Sequence, residues 1–281
     1  MKFLLAIFLS VAFLSTHAQQ FKLVNQKDNL PVQFAHINAI NGSGTYSDQI
    51  GDFSIEADSI IITHINYEDT LILLSDLSEK IIYLKPSRIL LDEVQVSGNK
   101  KLDDSQKSIF PEGRFKTSFM ALNMSSFEIG MVVKLKDLKQ TQLTNVKIPV
   151  KLGNHPPLIK INVYELADNG RPSKLIASKV LRDFSKKRKQ IIETDFLAEE
   201  IILSKNDPIV IAIELVGYQI DNEISFQQYK RSSEALRIEM RLRNNKGFIR
   251  NKNQIINWDI FSYEGSVPFE PAFEIGITGV E

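Results

Sequence analysis

The stretch RIEMRLR, residues 237–243, alternates without a break. Ile238, Met240 and Leu242 fall on one side, and Arg237, Glu239, Arg241 and Arg243 on the other. A period of two places alternate residues on opposite faces of a strand, so this segment reads as an antiparallel strand with one face in a core and one in water. The same reading extends outward. HINAI (36–40) alternates, SIIITHINY (59–67) is a β-branched run, and IKINVYEL (159–166) sets Ile159, Ile161 and Val163 on one face. PIVIAIELV (208–216) and PAFEIGITGV (271–280) are further strands. Turn signals separate them at NGSG (41–44), LGNHPP (152–157), DNGRP (168–172), KND (205–207) and NNKG (244–247). Only LSDLSEK (74–80) and DFLAEE (195–200) suggest helix. The expected fold class is all-β.

The first residues, MKFLLAIFLSVAFLSTHA, carry Lys2, an apolar run from Phe3 to Leu14, and small residues at Thr16 and Ala18. This is the pattern of a secretory signal peptide over 1–18, with a mature chain from Gln19. The run is shorter than the ~20 residues of a membrane span, and no later stretch is apolar enough to cross as a helix. The expected location is therefore the periplasm, the outer-membrane surface or the extracellular space. The sequence has no Cys, which excludes a thioether lipid anchor and disulfides. Loss of Lys2 leaves 33 basic against 34 acidic residues, a formal charge of −1. That balance argues against nucleic acid as a partner.

Residues 97–118, SGNKKLDDSQKSIFPEGRFKTS, are polar and nearly free of alternation. They read as a linker between a smaller β domain (19–96) and a larger one (119–281). Within the first, SDQIGDF (47–53) raises three readings: a calcium loop, a phosphate turn or a strand corner. Gln49 and Ile50 stand where a calcium loop needs oxygen ligands. The corner reading uses every residue: Asp48 accepts from backbone N–H groups, Gly51 supplies a positive φ, and Phe53 with Ile55 starts a core strand.

With its neighbours, this stretch resembles the carboxypeptidase-regulatory-like domain of Bacteroidetes envelope proteins, a transthyretin-like β-sandwich. The resemblance rests on Pro31, Val32 and Ala35, on Ser47, Asp48, Gly51, Phe53 and Ile55, on Asn66 and Tyr67, and on Leu91, Glu93, Val94 and Val96. Asn66 replaces the family's usual Gly. The resemblance implies a non-catalytic module attached to a partner domain. In outer-membrane receptors such a module precedes a 22-stranded barrel, but the roughly 185 residues after Val96 are too few for one. The part after residue 118 reads as a larger antiparallel β-sandwich, and INVYELADNGRPSKLI (161–176) is similar to a jelly-roll hairpin of secreted bacterial proteins.

No cofactor motif is present. His36, His64 and His155 lack H-E-x-x-H or H-x-H spacing, and His36 and His64 read as strand residues rather than metal ligands. No nucleophile elbow or phosphate loop appears. The candidate ligand contacts are of two kinds. Trp258, Asp259 and Tyr263 would offer a ring and a carboxylate to a sugar; Lys186, Lys187, Arg188 and Lys189 would offer charge to an anionic glycan. Whether that basic run adjoins the Arg237, Arg241, Arg243 face is not legible. The expected role is a secreted, non-catalytic cell-envelope protein that binds or scaffolds a protein or glycan. The alternative is a glycan hydrolase with two carboxylates from the larger domain, where Glu214, Glu223, Glu239, Asp259, Glu264 and Glu274 are the candidates.

Overall fold

A computed structural model describes residues 19–40, 42–87, 102–109, 115–122, 126–134, 141–182, 184–185, 187–204, 207–220, 223–225, 234–242, 247–252, 258–263 and 267–280. The strands at 102–109, 115–119, 223–225, 241–242, 260–263, 267–270 and 279–280 are described by their backbone. The described residues form strands and two single 3-10 turns, at Leu74–Asp76 and Leu197–Glu199. Those turns are all that becomes of the two helical candidates. Each segment is too short to meet the nucleation cost of an α-helix. The chain divides into two compact units, one closing at Pro86 and the other running on from Ser87.

The smaller unit contains β1 (Gln19–Asn25), β2 (His36–Ala39), β3 (Gly44–Tyr46), β4 (Asp52–Ile55), β5 (Ser59–His64), β6 (Tyr67–Leu73) and β7 (Ile81–Leu84). They form two sheets, β4-β1-β7 and β3-β2-β5-β6. Phe21, Leu23, Val32, Ile37, Phe53, Ile60, Ile62 and Leu84 are buried in this unit. SDQIGDF makes the corner that feeds β4. Asp48 Oδ1 accepts from the N–H groups of Ile50 at 2.9 Å and Asp52 at 2.8 Å. Gly51 has φ +82°, and a Cβ there would lie 2.5 Å from the Leu23 carbonyl oxygen. Beyond it, Phe53 stacks on Phe21 at 5.5 Å.

The larger unit contains β8 (Leu102–Ile109), β9 (Phe115–Leu122), β10 (Phe127–Val133), β11 (Thr141–Lys151), β12 (Pro157–Leu166), β13 (Pro172–Leu181), β14 (Lys189–Asp195) and β15 (Ile202–Leu203). It continues with β16 (Ile209–Ile220), β17 (Glu223–Ser225), β18 (Leu236–Leu242), β19 (Gly247–Asn251), β20 (Asp259–Tyr263), β21 (Val267–Pro271) and β22 (Glu274–Val280). The strands order as β13-β12-β16-β10-β19-β20-β21-β18-β11-β22-β8. Strands β12, β16, β10 and β19 make one layer, and β18, β11, β22 and β14 the other. Ile129, Ile161, Val163, Ile211 and Ile213 of the first layer share one core with Val146, Ile148, Val150, Ile238 and Ile275 of the second. Each such side chain contributes roughly 1.5–3 kcal/mol on burial. The fold is all-β, and the larger unit is a sandwich.

Two expectations change. Residues 102–109 and 115–118, read as linker, form β8, which pairs with β22, and the start of β9, which pairs with β18. Strand pairing uses backbone groups, so a segment without hydrophobic alternation still completes a ladder. On β12 both faces are covered: Lys160, Asn162 and Tyr164 are buried along with Ile159, Ile161 and Val163.

Candidate functional site

The second buried face of β12 leads to the site. Cross-strand register sets Lys160 of β12 opposite Glu214 of β16, Glu214 opposite Glu128 of β10, and Glu128 opposite Arg250 of β19. One row across four strands therefore reads cation, anion, anion, cation. The neighbouring Ile129, Ile213 and Ile161 face the core, so period-two alternation turns these charges to the outer face of the layer. Glu128 and Glu214 are both 0% exposed.

Two like charges directly opposite destabilise a sheet unless they are compensated. Here every described contact compensates them. Asn162 Nδ2 donates to Glu128 Oε1 and to Glu214 Oε2, each at 2.7 Å, and bridges the pair. Tyr164 Oη donates to Glu128 Oε1 at 2.7 Å. Arg250 Nε donates to Glu128 Oε2 at 2.8 Å, and its Nη2 donates to Tyr164 Oη at 2.8 Å. Lys252 Nζ donates to Glu214 Oε2 at 2.5 Å and lies 3.7 Å from Glu128 Oε2. Ser178 of β13 fixes Asn162 by donating to its Oδ1 at 2.6 Å.

An aromatic cluster flanks the charges. The Arg250 guanidinium carbon lies 4.3 Å from the Trp258 ring centroid and 5.3 Å from that of Tyr164, within cation–π reach of both. Tyr164 and Phe248 meet Trp258 edge-on at 5.4 and 6.4 Å.

The protonation states follow from this packing. Burial pulls the Lys160 ammonium down to about 8; the Glu214 carboxylate opposes that shift and Lys252 adds to it. Burial and then the Glu128 charge push the Tyr164 phenol well above its usual value, so it stays a donor. Burial works against the Arg250 cation, but Glu128 and Tyr164 outweigh it and keep the guanidinium charged. Chemically, the arrangement is a closed set of donors and acceptors. Both carboxylates already accept hydrogen bonds from the protein.

Trp258 belongs to this cluster and is 4% exposed, which corrects the reading of it as a sugar-stacking face. A single aromatic in a polar-looking segment gives no sign that another strand's Arg covers it. Asp259, the next residue, is exposed. The Tyr263 side chain and Lys186 lie outside the described residues. Lys187, Arg188 and Lys189 are exposed where the chain enters β14. Register then sets Lys189 opposite Lys151 of β11, and Lys151 opposite Arg237 of β18. The basic run therefore does adjoin Arg237; the side chains of Arg241 and Arg243 are outside the described residues.

Of the carboxylates considered for hydrolysis whose side chains are described, Glu214 alone joins the network. Asp259 is exposed, Glu239 and Glu274 are half-buried elsewhere, and the side chains of Glu223 and Glu264 lie outside the described residues. Glu128, Lys160, Asn162, Tyr164, Arg250 and Lys252 escaped the sequence reading. For Glu128, Lys160 and Asn162 the signal was a polar residue set among apolar ones, as in FEIGMVV and LIKINVY; Arg250 and Lys252, in GFIRNKN, carry no such signal. His36 packs against Tyr46 at 5.1 Å between ring centroids. Among the described residues no three His, Asp or Glu converge as a metal site.

No family model matches the chain, and no curated protein matches it. Among solved structures, it is similar to the cysteine protease and lectin-like domains of a surface-layer-associated protein of Clostridium difficile, with a TM-score of 0.38 and 10% identity. That match covers 94% of this chain and 63% of the other, so this chain spans less than two thirds of that neighbour. It is also similar to carbohydrate-binding modules of the β-sandwich superfamily, with a TM-score of 0.28 and 7% identity, over 79% of this chain and 94% of the other. A third is infectious bursal disease virus, Gt strain, with a TM-score of 0.21 and 11% identity, over 93% of this chain and 60% of the other. Likeness at this level says nothing about ligand or activity.

Proposed function

We propose that the protein is an exported, non-catalytic component of the cell envelope that binds or scaffolds a protein or glycan partner. One observation carries the non-catalytic part. Glu128 and Glu214, the carboxylates that meet on the outer face of β10 and β16, are buried and held by Asn162, Tyr164, Arg250 and Lys252. A hydrolytic pair needs one carboxyl free to give a proton and a second free to meet water or the sugar. The binding part is supported by exposed surface. The small unit turns Leu71, Leu73 and Tyr83 to solvent at 64%, 52% and 50% exposure, on strands whose ends are tied by the Lys85–Glu68 ion pair at 2.8 Å. Leu71 and Leu73, two residues apart on one face of β6, give this exposure the local clustering that suits a docking surface.

The signal-peptide pattern of residues 1–18 supports export. The test is a glycan array and an envelope-extract pull-down with the chain from Gln19, alongside a Leu71→Ser, Tyr83→Ser variant. The expected result is capture of a defined glycan or envelope protein without turnover. Capture by neither route would count against the binding role.

A further inference from the structure

The two layers of the larger unit each carry a cross-strand row of charges, and the rows differ. The row on β12, β16, β10 and β19 is compensated. The row on β14, β11 and β18 is Lys189, Lys151 and Arg237, three cations in direct register. Arg188 adjoins it: its carbonyl accepts from the Leu152 N–H at 2.7 Å. Cations directly opposite one another destabilise a sheet. Among the described residues none of the four forms an ion pair. The repulsion registers on Lys151, a half-buried residue whose ammonium is pulled below its usual value first by Arg237 and then by burial, with Arg188 and Lys189 adding to the effect.

A second observation is independent of charge counting. Arg237 Nε and Nη2 are buried and have no hydrogen-bond partner among the described residues. A buried guanidinium edge without acceptors is costly. The fork of an arginine matches two oxygens of a tetrahedral oxyanion, and lysines serve such an anion as point charges.

We propose that Arg237, Lys151 and Lys189, with Arg188 beside them, form a binding site for a phosphate- or sulfate-type oxyanion. Arg237 Nε and Nη2 are closed to solvent in this structure, so binding turns this half-buried side chain outward; the anion then supplies the acceptors it lacks and the negative charge that the row lacks. Several fixed cations favour a doubly charged anion over a single carboxylate. The site lies on the outer face of β14, β11 and β18, where Arg237 is half-buried and Glu239 follows it two residues on along the same face of β18; it is away from the Glu128–Glu214 network and stands whether or not that network is catalytically silent.

The test is calorimetric titration of inorganic phosphate, and separately of sulfate, into the chain from Gln19 at constant ionic strength in chloride. Two further arms use glucosamine 6-phosphate and vesicles containing phosphatidic acid, both phosphomonoesters, to learn whether a saccharide or a lipid carries the anion. Saturable phosphate binding is expected. Arg237→Gln should weaken it by about tenfold or more, the size of charged hydrogen bonds, and Lys189→Gln less. Lys174→Gln, whose partner is Glu165, should leave it unchanged. Phosphate should raise the unfolding temperature of the wild type and not that of Arg237→Gln, a readout that a purely structural arginine would not produce. Lys189 is exposed at the start of its strand, so its variant tests the site even if Arg237→Gln folds poorly. Phosphate binding together with either carrier supports the site and reports its source. The proposal is overturned by absent binding, by binding that both variants retain, or by vesicle association without phosphate binding. A glycan-array failure alongside phosphate binding would sink the envelope-glycan reading and leave this site standing.

Discussion

Arg250 joins Glu128 at 2.8 Å while its guanidinium carbon lies 4.3 Å from the ring centroid of Trp258. One side chain thus compensates a fully buried carboxylate and closes the aromatic cluster beside it. Removing one partner of such a pair leaves an uncompensated buried charge. Arg250→Leu should therefore destabilise the larger unit by roughly 3–5 kcal/mol. Urea unfolding followed by Trp258 fluorescence measures it. Adding Glu128→Gln to that variant should recover part of the loss, because the two side chains are coupled.

Lys160 gives a pH dependence. Its folded value of about 8 lies below the ordinary 10.5, so between those pH values the unfolded chain binds more protons than the folded one. Stability then rises with pH across that window, and the penalty for burying the ammonium is fully present below pH 8. The gap corresponds to roughly 3 kcal/mol. Lys160→Met should stabilise the protein at pH 7, and the gain should shrink as the pH climbs from 8 to 10.5. A gain that is flat with pH would contradict the assignment.

The corner before β4 is testable through its backbone. Gly51→Ala forces a Cβ into a positive φ and against the Leu23 carbonyl oxygen. A loss of about 1–3 kcal/mol is expected in the smaller unit. Asp48→Ala removes the acceptor of two N–H groups and should cost about 1–2 kcal/mol. Hydrogen exchange at Ile50 and Asp52 should speed up in the Asp48 variant.

Tyr218 ties β16 to β9 and β18. Its hydroxyl donates to the Leu122 carbonyl at 2.9 Å and accepts from the Leu236 N–H at 2.8 Å, all buried. Tyr218→Phe leaves both backbone groups without this partner and should cost about 1–3 kcal/mol, read as a lower denaturation midpoint.

Strand character was legible where alternation is strict. Ile238 and Met240 enter the core while Arg237 and Glu239 stay half-buried on the other side, because one face of β18 meets the first layer. The charged face of β12, β16 and β10 was not legible. LIKINVY reads as a strand with one wet face, yet Lys160 and Asn162 are buried because partners from three other strands converge on them. Cross-strand register is a tertiary property, so neither Glu128 opposite Glu214 nor Lys151 opposite Arg237 can be read along one chain segment. Residues 102–109 misled for a related reason: backbone pairing with β22 recruits them without a hydrophobic pattern.

The central proposal is that the Glu128–Glu214 pair ties β10, β12, β16 and β19 of one layer together and does no chemistry. Reducing-end release from a panel of envelope glycans, with wild type, Glu128→Gln and Glu214→Gln compared, tests it most directly. The account predicts no release by any of the three, together with a lower unfolding temperature for both variants. Release by the wild type that either substitution abolishes, with the unfolding temperature unchanged, would contradict it.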